Sequence, residues 1–539
     1  MTIKRLAVVN CTLVVLAFLL LCRVYWVGIC TQYAASAASQ SVSTVALPRH
    51  RGNFYDRNGL PLTGTQKSWY ALCVPGDSSY VTLFPFVPYE QQQSLYRMRN
   101  HAAPFLIEVA QDLTVGGVYT VEGERRYLPL PIAPHLIGYL DGEGHGVSGL
   151  ERAYDDLLYR AGETAELSCA TTASGTLMAG AQPTRKVTAQ GNRQGVALTL
   201  DASLQRACEG IAQAGMPRGC ILVLDVSSGE ILASVSMPDF DPDRVADSIA
   251  AGDTSLIDRP YAPFSAGSVF KVVLAAAAYG RGLDWYTWDC VGSTVLDGQT
   301  YRCALGRAHG TVNLRGALEQ SCNCYFVALG QQLGAAALLD KAGQFGFGSP
   351  TALAPGLKSA AGQLPTLEEL QASGQLALFS FGQGTLTATP LQIAAMMNVV
   401  ASGGWYLPPR LVRGICDEAT GAVTPAEQPA PRRVCNADTA RVLRSMLVSV
   451  VEDGIGRAAK PLDGGAGGKT GTAQTGQYNA DGKELLNYWF AGFYPADSPR
   501  FVITVLQDAA LEPETPSAAL FAQVANALDA QTAAETAPP

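Results

Sequence analysis

The sequence predicts an α+β fold behind an N-terminal membrane-spanning helix. Two apolar runs, residues 220–226 and Ile231–Met237, flank Ser-Ser-Gly-Glu and read as a β-hairpin. Two further strand-like runs, 487–494 and 501–506, lie near the other end of the chain. Ala-rich helical stretches such as 272–279 and 391–400 come between them. Strands at both ends of a region, with helices in the middle, require a sheet assembled from distant segments.

Composition narrows the class further. At 539 residues the chain is long enough for about three or four domains. With 48% hydrophobic and 16% charged residues it is not mainly disordered. A net charge of −8 argues against a nucleic-acid partner held through phosphates. The 55 Gly and 31 Pro follow no fixed period, which excludes collagen-like repeats. The 13 Cys form no CxxC pair, and the five His are scattered without an HExxH, so no metal site is expected.

Taken from the N-terminus, Lys4 and Arg5 precede an apolar run over 6–30, broken only by Asn10, Thr12 and Arg23. At about 1.5 Å per residue that run spans a bilayer core of about 30 Å. The basic pair places residues 1–5 in the cytosol and the rest outside. The rival reading is a cleaved signal peptide ending at Ala35-Ser36-Ala37. Residues 31–48 are small and polar, as in a linker. Residues 49–194 are a first exported domain of short mixed segments, with a helix placing Leu150, Tyr154 and Leu157 on one face. Residues 195–530 hold the α+β domain, and 531–539 are expected to be a disordered tail.

Three short motifs in the last region carry chemistry. In Ser268-Val269-Phe270-Lys271 the hydroxyl and the amine sit at i and i+3 on one face of a helix start. A serine nucleophile needs a base, and a lysine serves only when neutral, which burial or a nearby cation favours. In Ser321-Cys322-Asn323 two polar side chains can face one cleft, the hydroxyl relaying a proton and the amide holding a peptide backbone. A plain helix cap at Ser321, ahead of Asn323, is the structural alternative. In Lys469-Thr470-Gly471-Thr472, after a Gly-rich run, a cation and two hydroxyls on an exposed strand edge suit a terminal carboxylate. Lys469 is also the cation expected to depress the pKa of Lys271.

The order SxxK, SxN, KTG is the signature of penicillin-binding proteins and serine β-lactamases. With its N-terminal anchor, the chain resembles a class B penicillin-binding protein, a membrane-anchored peptidoglycan D,D-transpeptidase. Arg51-Gly52…Asp56-Arg57-Asn58-Gly59 is similar to that family's entry into its N-terminal domain, and Gly149-Leu150-Glu151…Tyr154-Asp155 to its G-x-E-x-x-Y segment. Phe381-Gly382-Gln383-Gly384, Thr389-Pro390-Leu391-Gln392 and Trp489-Phe490-Ala491-Gly492 match further family stretches. Ala266, where the family usually has Pro, and Gly454-Ile455-Gly456, in place of G-T-(G/A), depart from it.

The resemblance implies an antiparallel sheet with helices, preceded by a transmembrane helix and an elongated non-catalytic domain for dimerisation or as a pedestal. It implies Ser268 as nucleophile and Lys271 as base, with Ser321 and Lys469 completing the proton path. It further implies an oxyanion hole from the backbone N–H groups of Ser268 and Thr472. Lys469, Thr470 and Thr472 of the Lys-Thr-Gly-Thr strand, with Gly471 between the threonines, would hold the substrate carboxylate, and Asn323 its backbone. Substrates would be peptidoglycan stem peptides, with β-lactam antibiotics acylating the same serine and no cofactor required. Partners would be a lipid-II polymerase and other anchored morphogenesis proteins, in division, elongation or sporulation. A D,D-carboxypeptidase, a serine β-lactamase and a non-enzymatic β-lactam-binding scaffold stand as alternatives.

One further expectation concerns Cys290 and Cys303, which flank an Asp297-Gly298 hairpin turn. In an oxidising exterior such thiols can pair, and the bridge would contribute about 3 kcal/mol. Cys322 and Cys324 are nearby competitors.

Overall fold

The computed structural model describes residues 3–29, 42–75, 77–100, 103–113, 118–171, 178 and 182–536. The helix Ile3–Ile29 is exposed throughout, with a mean hydropathy of 2.4 over its most apolar window. It is long and apolar enough to cross a membrane. The signal-peptide site at 35–37 lies outside the described residues. Of the expected linker, 31–41 also lies outside them, while Val42–Ala46 is a strand pairing with Thr164–Ala170.

Contacts divide the chain into two units that interleave along the sequence. The first takes Met1–Arg51, Gly64–Arg126 and Arg160–Asn192. It holds two three-stranded antiparallel sheets, one ordered with Thr164–Ala170 in the centre and one with Gln66–Cys73 in the centre.

The second unit takes Gly52–Thr63, Tyr127–Tyr159 and Arg193–Pro539. A single cut near residue 194 therefore does not follow the contacts. The reason is local. Asp56 accepts backbone N–H bonds from Asn58, Leu60 and Ala202, and Arg57 pairs with the buried Glu230. The expected single helix around Leu150 is two, Gly149–Ala153 and Asp155–Tyr159, broken at Tyr154. They bury Leu150, Glu151 and Leu158, while Tyr154 and Leu157 are half-buried.

The centre of this unit is a five-stranded antiparallel sheet. Its order is Ile231–Met237, Gly219–Asp225, Phe501–Ala510, Glu484–Tyr494 and Gly467–Tyr478, so distant segments do build it. Both faces are covered. Ile221, Val223, Ile503 and Val505 pack under Leu204 and Cys208 of the helix Ala202–Gly215 and under Leu520 and Phe521 of the helix Ser517–Thr536. Leu222, Leu224, Val502 and Trp489 face the larger core, which contains Phe270 and Val272. Fully buried helices such as Pro390–Ala401 lie in that core, started by a capping box of Thr389 and Gln392. The last helix runs through Thr536, where a tail was expected, and Gln531 donates to Asp201 and Ser203. Residues 537–539 lie outside the described ones.

Candidate active site

The segment carrying Ser268 is held from three sides. Gly267 has φ +61°, and a Cβ there would stand 2.6 Å from the Thr472 carbonyl oxygen. Its N–H donates to Gly382 O at 2.8 Å, and Trp489 Nε1 donates to Ser265 O at 3.0 Å. A Cβ on Gly382 would fall 1.9 Å from Gly267 O, so only glycine fits there. Ser268 lies in a 3-10 turn, Gly267–Phe270, that continues into the α-helix Lys271–Gly280. Phe270 anchors the turn against Phe347 and Phe379.

Lys271 opens the helix and is fully buried. Its ammonium donates to Asn323 Oδ1 at 2.6 Å, Ser321 O at 2.8 Å and Ser321 Oγ at 3.1 Å. The first two motifs are thus joined through one amine. Burial lowers its pKa from 10.5 to about 7, while Cys322, Cys303 and Cys324 push the other way. Ser321 is not the helix cap. Cys322 takes that place ahead of Asn323–Leu333, its sulfur accepting from Tyr325 N–H at 3.4 Å. Ser321 instead adopts φ +51°, a left-handed conformation costing about 1 kcal/mol or more without a Gly. That turn aims both its carbonyl and its hydroxyl at Lys271.

The third motif lies on the sheet's edge strand, Gly467–Tyr478, paired on one side only with Glu484–Tyr494. Strand alternation puts Thr470 and Thr472 on one face and Lys469 and Gly471 on the other. Gly471 leaves room for Val269, whose Cγ1 would be 3.0 Å from a Cβ there. Lys469 is fully buried and its amine donates to Thr470 O at 3.1 Å and Thr470 Oγ1 at 3.3 Å. Its pKa is held well below 10.5 by burial and by the charge of Lys271. The expected effect of Lys469 on Lys271 therefore runs the other way. Repulsion between two cations is felt by the one that loses its proton first, and the depressed pKa of Lys271 itself comes from burial.

A cavity of about 580 Å³ is lined by Ser268, Ser321, Asn323, Thr470 and Thr472 from the three motifs. Lys271 and Lys469 sit beneath its wall rather than on it. Arg307, His309, Glu319, Asp453 and Arg457 also line it, and none was singled out by sequence. They come from loops and helix ends with no motif of their own. Ile455, at one of the two departures from the family pattern, places a 48% exposed apolar side chain on the rim. Cys290 and Cys303 do come together, at 3.7 Å between sulfurs, as unbonded thiols. They belong to a larger group with Cys322, Cys324 and His309.

A family model for the penicillin binding protein transpeptidase domain matches residues 219–527, which include all three motifs. Penicillin-binding protein PbpB of Mycolicibacterium smegmatis is 33% identical over 433 residues, covering 75% of this chain and 64% of that protein. Stage V sporulation protein D of Bacillus subtilis is 32% identical over 413 residues, covering 74% and 62%. The chain thus spans a little under two thirds of these relatives' own length. The crystal structure of apo penicillin binding protein 3 from Mycobacterium tuberculosis superposes with a TM-score of 0.65 at 26% identity, covering 92% of this chain and 98% of that one. Its complex with aztreonam gives the same TM-score at 27% identity. By its match over more than half its length, this chain belongs to the penicillin binding protein transpeptidase domain family.

Proposed function

We propose that the protein is a serine peptidoglycan D,D-transpeptidase and a target of β-lactams. The observation that carries this reading is the buried Lys271 amine, bonded to both polar residues of the second motif beside Ser268. Ser268 Oγ attacks the penultimate D-Ala carbonyl of a stem peptide and gives its proton to the neutral Lys271 amine. The bond to the terminal D-Ala breaks, and Ser321 Oγ passes a proton to the leaving amine. An acceptor amine then attacks the ester, re-forming an amide and freeing Ser268. One amide replaces another, so no external energy source is needed.

Backbone placement supports the oxyanion hole. In an antiparallel strand the N–H and C=O of one residue point to the same side. The Thr472 carbonyl faces Gly267, so its N–H faces the nucleophile turn as well. The Ser268 N–H lies in a helix's first turn, where N–H groups have no intrahelical acceptor. One such donor is worth about 3–4 kcal/mol of transition-state stabilisation. Thr470 and Thr472 present hydroxyls to the substrate carboxylate. Lys469 acts through its bonds to Thr470 rather than by direct contact. Asn323, which donates to Arg302 O and accepts from Lys271, is fixed in place to meet the peptide backbone.

The apolar helix anchors the chain with its basic N-terminus in the cytosol, so the site faces newly made wall outside. Anchored wall-synthesis proteins, a lipid-II polymerase among them, are the partners this placement suits. The test is incubation of the detergent-solubilised protein with a donor stem pentapeptide and an acceptor amine. Release of D-Ala with a cross-linked product supports the proposal. Release with water as the only acceptor would make it a carboxypeptidase, and rapid β-lactam turnover a β-lactamase.

A further inference from the structure

The thiol group beside the second motif is arranged for a metal. Cys290 Sγ lies 3.7 Å from Cys303 Sγ and 3.4 Å from His309 Nδ1, and Cys303 Sγ lies 3.8 Å from Cys322 Sγ. All four ligand atoms are within 4.8 Å of one another. Zinc takes sulfur at about 2.3 Å and imidazole nitrogen at about 2.0–2.1 Å. A tetrahedron with those bonds has edges of about 3.8 Å between sulfurs and about 3.5 Å between sulfur and nitrogen. The three short edges match those of an ion at the centre, and the remaining separations, of up to 4.8 Å, need only a small closure to complete the tetrahedron. They do not single out one pair, since Cys303 Sγ has three sulfur neighbours at 3.7, 3.8 and 3.5 Å.

We propose that Cys290, Cys303, His309 and Cys322 form a tetrahedral structural zinc site that braces the Ser321–Asn323 segment. Three thiolates and one imidazole fill four positions, leaving none for a substrate or water, so the ion is not catalytic. Soft sulfur ligands in this geometry select zinc over calcium or magnesium. Binding converts three thiols to thiolates and releases three protons, without oxidation or reduction. The supporting structure is in place. His309 N–H donates to Cys290 O, Cys303 N–H donates to Gly292 O, and Tyr325 N–H meets the Cys322 sulfur. Three thiols are buried, and only the imidazole is partly open. Cys322 is the residue between Ser321 and Asn323, so the ion fixes the backbone that carries the three acceptors of Lys271. Among the described residues it is here that the expectation of no metal gives way, and the site does not depend on which residue is the nucleophile.

The full-length protein, purified in detergent without chelator, tests the proposal by elemental mass spectrometry and differential alkylation. The expected result is about one zinc per chain, with Cys290, Cys303 and Cys322 protected from alkylation until a chelator is added. Cys290→Ser should lower bound zinc more than tenfold, whereas His309→Cys, which keeps four ligands, should retain it. Should Cys290→Ser fail to fold, cobalt titration of chelator-stripped parent protein decides. Tetrahedral cobalt–thiolate absorption saturating at one equivalent supports the site. Parent protein that holds no zinc and gives no such absorption overturns it, as does recovery of a Cys290–Cys303 disulfide from fresh protein.

Discussion

Replacing Lys271 by Arg keeps a positive charge at the site but removes the chance of a neutral base. Burial brings the Lys271 pKa from 10.5 to about 7. At an ordinary value of 10.5, only about 3 in 10⁴ amines are neutral near pH 7; at about 7, roughly half are. That gain of about 10³ corresponds to on the order of 4 kcal/mol of differential stability between the two protonation states. The base is active when neutral, hence above its pKa. The second-order rate of Ser268 acylation by a fluorescent penicillin should therefore plateau above about pH 8 and fall about tenfold per unit below about pH 7. The titratable groups facing the amine are Lys469, which loses its proton first, and the thiols of Cys322, Cys303 and Cys324. Lys271→Arg, with a guanidinium that stays protonated, should lose a factor of about 10²–10⁴ at every pH. A profile flat from about pH 5.5 to 8, or near-parent acylation by Lys271→Arg, would refute Lys271 as the base.

Asn323→Asp places a carboxylate where Oδ1 stands 2.6 Å from the Lys271 ammonium. It should favour the charged amine and move the rising limb of the same pH profile upward by about one unit or more. Gly382→Ala drives a Cβ into Gly267 O at φ +82°. It should destabilise the protein by about 2 kcal/mol or more and slow acylation through a displaced nucleophile turn, measured by thermal unfolding and penicillin labelling. Ser321→Gly relieves the left-handed strain at φ +51° while removing a hydroxyl that accepts from Lys271. Thermal stability should hold or rise by up to about 1 kcal/mol while acylation falls.

Much of the second unit was legible because its elements are buried on two faces and read as continuous apolar runs. The hairpin expected at 220–226 and 231–237 occurs at Gly219–Asp225 and Ile231–Met237, and the helix at 391–400 at Pro390–Ala401. The three motifs were legible because each packs its chemistry into three or four consecutive residues. What escaped depends on contacts between distant residues. Asp56 and Arg57 belong to the second unit through bonds to Ala202 and Glu230. Lys469 turns inward because its neighbours Thr470 and Thr472 take the cavity face of the strand. Cys290 and Cys303 meet across the hairpin of Ser293–Leu296 and Gln299–Arg302, as their spacing led one to expect, but His309 joins them only through the fold. No short motif announces the arrival of His309.

Peptide mapping of penicillin-treated protein by tandem mass spectrometry decides whether Ser268 forms the acyl-enzyme. One covalent penicilloyl adduct is expected, on the Ser268 hydroxyl, and none in a folded Ser268→Ala variant. An adduct on another residue, or a folded parent protein that acquires none, would contradict it.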